Sequence, residues 1–253
     1  SLAGRTKKAF QTRFYDQQKG SYGDAGGNVL ALKMGVPAHQ YERVVEALRA
    51  GLIKSGGHLD TGIIGTRFFF EILAEHGLNQ FAYEAINKRS EPGFGWWLEL
   101  GSTTTRERWD EGGSYNHPMF GGGLVWFYRN LAGMQADPEE PGYRHLVFRP
   151  QPVEQMDWVS YMNQTPYGEG GIRWKNMRDV FSMEVTVPVS CRASVYVPTS
   201  DSSLVYEGKR RANEATDAGV EFVRMEEGYA VYEVKSGLYH FQVKPNPVPG
   251  ARE

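Results

Sequence analysis

Apolar residues recur with two different periods along this chain, and the change falls near residue 140. Between residues 2 and 134 the spacing is helical. Tyr41, Val44, Val45, Leu48, Leu52 and Ile53 follow the rhythm of a buried stripe, and Gly56-Gly57 ends it. Phe68, Phe69, Ile72 and Leu73 repeat that rhythm. Further helices are predicted over residues 2–15, 28–34, 80–88 and 124–132, about six in all, joined by Gly-rich loops. Asp60 and Thr61 read as caps at a helix start, and His58 beside them as structural. Residues 94–100 read as a short extended piece, which would point Trp96 and Trp97 to opposite faces and make at least one of them core.

After Asp137 come Pro138, Pro141, Pro150 and Pro152, a composition through which a helix cannot continue. The period then becomes two. Phe181, Met183, Val185, Val187 and Val189 alternate with Ser182, Glu184 and Thr186, as a strand with one buried face should. Ala193, Val195 and Val197 predict a second strand. Val220 with Phe222, then Ala230, Tyr232 and Val234, then Tyr239, Phe241 and Val243 predict three more, with Ser236-Gly237 as a turn. Short strands at this spacing favour an antiparallel β-sandwich. The chain thus divides into a helical part, 1–137, a sandwich, 138–245, and a tail, 246–253, that reads as mobile.

Composition narrows the partners. Lys and Arg number 28 against 30 Asp and Glu, a formal net charge of -2, so nothing in the balance draws the chain to nucleic acid or to an anionic membrane. Small neutral ligands fit better. With 6 Trp, 14 Tyr and 13 Phe the chain is rich in aromatics; most read as ordinary core, and carbohydrate sites also need such faces. Cys191 is alone, which excludes an intrachain disulfide and a cysteine-based zinc site. No run of about 18 apolar residues predicts a membrane span, and no charged-then-apolar leader precedes Ser1.

Chemistry concentrates in residues 101–123, GSTTTRERWDEGGSYNHPMFGGG, a non-periodic segment holding carboxylates, a histidine, aromatics and flexible glycines. A carboxylate such as Glu107 can activate water, an imidazole such as His117 can orient it, and the indole of Trp109 can stack on a pyranose. Each also has an ordinary alternative. Glu107 between Arg106 and Arg108 could be a surface salt-bridge cluster, and His117 before Pro118 could fix a turn. Asp110 and Glu111 lie close enough to suggest a divalent ion, yet no spaced ligand set supports a metal site. The run Gly121-Gly122-Gly123 precedes a helix but lacks the Lys-Ser/Thr ending of a phosphate loop.

The segments GHLDTGIIGT, GSTTTRERWD, SYNHPMFGGG and FYRNLAGM occur here in the order and spacing found in bacterial α-L-rhamnosidases, and from residue 1 to about residue 243 the chain resembles the C-terminal part of one. That resemblance implies a toroid of six inner and six outer helices, an (α/α)6 fold, followed by a C-terminal β-sandwich. It implies an inverting glycosidase without a cofactor, acting on terminal α-L-rhamnosyl residues of glycans or glycosides. By position Glu107 matches the general base and His117 the histidine of the pocket, with Trp109, Arg106, Trp97 and Asn116 as candidate substrate-binding residues. Arg106 stands where many relatives carry tryptophan, which removes a stacking face and sets a cation beside Glu107 that favours its ionised form.

An inverting pair needs a second carboxyl roughly 6.5–9.5 Å away. The resemblance places that acid in a segment preceding residue 1, in the other half of the ring. The expectation is therefore an incomplete toroid, exposing apolar flanks for an upstream half of the catalytic domain, and weak or no activity alone. The alternatives are another toroidal carbohydrate enzyme, such as an unsaturated uronyl hydrolase or a polysaccharide lyase, and a non-catalytic glycan-binding or scaffolding fragment. Periplasmic, secreted and cytoplasmic locations all stay open.

Overall fold

The computed structural model describes residues 1–177, 180–216 and 219–244; the predicted tail lies outside the described residues. These form two compact units, Ser1–Trp126 and a second from Phe127 onward. The first is helical: α1 Leu2–Phe14, α2 Ala25–Met34, α3 Ala38–Lys54, α4 Gly62–Glu75, α5 Asn79–Asn87, α6 Phe94–Glu99 and α7 Gly122–Trp126. No helix among the described residues is long and apolar enough to cross a membrane.

Side-chain caps open the first two helices, with Ser1 Oγ accepting from Gly4 N and Asp24 Oδ1 from Gly27 N. Along α3 the buried positions are Val44, Leu48 and Leu52; Tyr41 and Ile53, expected in the same stripe, are exposed. They lie on its margins, and Tyr41 Oη instead meets His76 Nδ1 at 2.7 Å. The helix stops where foreseen, Gly56 and Gly57 both taking positive φ. Ahead of α4 the predicted side-chain cap does not form: Thr61 Oγ1 bonds Thr66 Oγ1 at 2.9 Å, and Asp60 is exposed.

The centre of this unit is α4, which buries Phe69, Phe70, Ile72 and Leu73 and packs on α2, α5 and α7. Asn79 Oδ1 accepts from the buried Trp126 indole at 2.6 Å. Residues 94–99 form a helix, not the extended piece that was expected. As one helical turn the run buries Trp97, which packs in a cluster with Phe94 and Trp109. By contrast α1 buries none of its residues, and Leu2, Phe10 and Met34 border a cavity of about 530 Å³.

The second unit opens on a π-helical turn, Phe127–Ala132, the wider continuation of the helix predicted over 124–132. Among the described residues nine strands follow: β1 Met134–Ala136, β2 His145–Phe148, β3 Trp158–Thr165, β4 Gly168–Met177, β5 Val180–Pro198, β6 Val205–Glu207, β7 Arg210–Arg211, β8 Val220–Glu226 and β9 Tyr229–Val243. Where the sequence suggested four separate segments, β5 and β9 each run on as one long strand. Both bend where the register shifts between Val187 and Arg192, and Gly237 continues β9 without turning the chain back. Ser190 there takes φ 64 and Val189, expected inside, is 78% exposed.

Through this bend two layers form. The first half of β5 and the second half of β9 join β3, β4, β6 and β7; their other halves join β1, β2 and β8. The layers face each other: a Cβ on Gly170 of β4 would lie 3.0 Å from Met134 Cε of β1 and 3.3 Å from Leu146 Cδ2 of β2. Among the described residues all pairings are antiparallel except β2 with β5. Buried between strands, His145 contacts Asp137 Oδ2 at 2.6 Å and Ser194 Oγ at 2.9 Å, while the Ser194 hydroxyl donates to Glu233. With its proton already committed and the side chain enclosed, Ser194 serves structure and not nucleophilic attack.

Gly133, φ 86, marks the exit from the π turn, and a Cβ there would stand 2.3 Å from Pro150 N. Gly228, φ 83, has open space around the same position. Gly133→Ala is expected to cost at least about 2 kcal/mol more than Gly228→Ala, because only the first adds a backbone clash to the φ strain. Urea unfolding of the two variants checks this, and equal midpoints would refute it.

Candidate active-site loop

Between α6 and the 3-10 turn Pro118–Gly121, the backbone over residues 102–117 forms no helix or strand. It closes on itself by cross-loop bonds. His117 N donates to Thr105 O at 2.8 Å, and Thr105 Oγ1 returns to His117 O at 2.9 Å. Thr104 Oγ1 donates to Tyr115 O, and further out Glu107 N donates to Ser114 O at 2.8 Å. The rungs hold the two arms together as a ladder would.

Glu107 gains a second anchor, Ser114 N donating to its Oε2 at 2.8 Å. Among the described residues Oε1 accepts no hydrogen bond, and the side chain is half-buried. Gly113, φ 76, follows the carboxylate closely enough that a Cβ would lie 3.0 Å from Oε2. A side chain there would displace the group. His117 is also half-buried, its Nδ1 accepting from Met119 N at 3.4 Å as it caps the 3-10 turn. With Nδ1 accepting, the neutral ring presents its proton on Nε2.

The flanking charges do not behave as a cluster. Arg106 is buried, its Nε donating to Ser102 Oγ at 2.6 Å and its guanidinium 4.6 Å from the Tyr115 ring centre, while Nη1 finds no partner. Arg108 Nη2 meets Asp110 Oδ2 at 2.6 Å. Among the described residues neither arginine forms an ion pair with Glu107. The N–H of Gly112 and then Arg108 hold Asp110 below the usual carboxylate range, so it stays ionised and occupied.

An aromatic floor supports the loop. Trp109 stacks on Trp97 at 4.3 Å between ring centres, and Phe120 meets both edge-on at 5.0 Å. The indoles of Trp96 and Trp97 donate to the carbonyls of Trp109 and Arg108, tying α6 to the loop. Trp97 is 3% exposed and therefore supports Trp109 from below; Trp109 is half-buried and Asn116 exposed at the rim. The roles of Ser114, Thr104 and Thr105 were not expected, although the threonines of GSTTT lie in the same non-periodic segment as SYNH.

Residues 1–131 match the family described as the bacterial alpha-L-rhamnosidase 6 hairpin glycosidase domain, and residues 133–212 the bacterial alpha-L-rhamnosidase C-terminal domain. An alpha-L-rhamnosidase of Streptomyces avermitilis is 32% identical over 96% of this chain, which spans 24% of that relative. An alpha-L-rhamnosidase of an Alteromonas species is 29% identical over 93% of the chain, which spans 26% of its length. The solved alpha-L-rhamnosidase structure from Dictyoglumus thermophilum superposes with a TM-score of 0.84 at 32% identity, over 96% of this chain and 28% of that one. The Streptomyces avermitilis enzyme complexed with L-rhamnose gives 0.83 at 30% identity, over 96% and 24%.

Thr105→Val keeps the side-chain shape and removes one rung of the loop. It is expected to cost about 1 kcal/mol and to speed amide exchange at Glu107 and His117 while α4 stays protected. Unchanged exchange at both amides would show that the rungs do not hold the arms.

Proposed function

We propose that this chain, which belongs to the bacterial alpha-L-rhamnosidase six-hairpin glycosidase family, carries the water-activating side of an inverting site that removes terminal α-L-rhamnosyl residues from glycans or glycosides. The chain spans about a quarter of the length of the relatives it matches. The observation that carries the reading is the state of Glu107: Oε2 is fixed by the Ser114 amide and Oε1 is left to accept a proton. A carboxylate so held can deprotonate a water as it attacks the anomeric carbon. His117 Nε2 would donate to that water or to a sugar hydroxyl, Trp109 would form a wall and Asn116 the rim.

Two features separate this from a uronate-cleaving site. A uronate carboxylate needs a cation facing it, but Arg106 is enclosed beneath Tyr115 and Arg108 is taken by Asp110. Asp110 is a poor proton donor, since the Gly112 N–H and then Arg108 favour its ionised form. On this reading the donor of the inverting pair lies outside this loop, and residues 1–253 alone are expected to turn over slowly.

In the enzyme that carries this chain, Glu107→Gln is expected to lower kcat on an aryl α-L-rhamnoside by about 10²–10⁴-fold, with KM within a few-fold. The first rhamnose released should be the β anomer by NMR. An α product, or full activity in Glu107→Gln, would overturn the assignment, the latter in favour of a binding role.

A further inference from the structure

The second unit carries a feature that the hydrolytic reading leaves unused. On the outer face of β3, β4, β5 and β9 the register lines up Trp158, Lys175, Ser182 and Gln242 in one row, and Ser160, Arg173, Glu184 and His240 in the next. Residues opposite one another across antiparallel strands share a face. Their sequence neighbours Trp174, Met183 and Phe241 point inward and are buried, which fixes the outward direction of the two rows. The surface is concave and encloses about 530 Å³, enough for one or two sugar rings.

Two properties indicate its occupant. Trp158 is 62% exposed, an unusual cost for an indole, and offers a flat apolar face at one side of the hollow. Beside it Arg173 and Lys175 are exposed and, among the described residues, without an ion-pair partner, while Glu184 lies 3.5 Å from His240 Nδ1. Two cations against that one carboxylate leave the two rows net positive. Ser160, Ser182 and Gln242 add uncharged hydrogen-bonding groups within the same rows.

We propose that this face is a carbohydrate-binding site for a uronate-bearing glycan, one sugar stacking on Trp158 and a carboxylate meeting Arg173 and Lys175. It goes beyond the hydrolytic reading and does not depend on it. The test is affinity electrophoresis and calorimetry of the full chain with oligogalacturonate, a probe without rhamnose, against a neutral galactan of equal length. Binding to oligogalacturonate should persist in Glu107→Gln, weaken roughly 10-fold in Trp158→Ala and roughly 2–5-fold in each of Arg173→Gln and Lys175→Gln. Added salt should weaken it further. Equal retention by the neutral galactan, no binding, or binding indifferent to all three substitutions would overturn the proposal. Because the Arg and Lys changes lie on exposed side chains, they keep the test decisive even if Trp158→Ala disturbs the edge strand.

Discussion

The candidate site depends on how a stretch of backbone outside any helix or strand satisfies its own polar groups. Residues 102–117 have no neighbouring ladder, so buried amides and carbonyls there must pair across the loop or with side chains. Threonine hydroxyls, two indoles and the Glu107 carboxylate take that role. One consequence is that Glu107 is at once a reactive candidate and a structural element. Its Oε2 completes the loop while Oε1 remains available, a division that positions the group without requiring a neighbouring cation.

Much of the architecture could be read from the sequence because it rests on periodicity. The α3 stripe, its glycine stop and the alternation in β5 follow from spacing alone. The failures occurred where tertiary packing overrode local pattern. Residues 94–99 are helical in a setting where Trp97 packs against Phe94, Trp109 and Phe120 together, and the contact with Trp109 appears only once the loop is closed. The hairpin of β3 and β4 went unforeseen because β3 is an edge strand with much of its surface exposed, which blurs the alternation.

For the site, residue types were legible and their partners were not. The sequence placed Arg106 and Arg108 beside Glu107, but adjacency in a chain does not set where long side chains point. Arg106 turns beneath Tyr115 and Arg108 toward Asp110, so an apparent three-charge cluster resolves into separate interactions. Trp109 was already the stronger candidate for a sugar face than Trp97, and burial separates them as surface and support.

The long strands β5 and β9 carry an implication for how the second unit assembles. Their ladder pairs Phe181 with Val243 and Pro198 with Tyr229, so each rung joins distant stretches of chain, and both layers share those rungs. The pairings of β3 with β4 and of β8 with β9 are local, but the shared ladder closes only when distant stretches align. That alignment is the slow kind of contact to form, unlike the local contacts of the helices in the first unit.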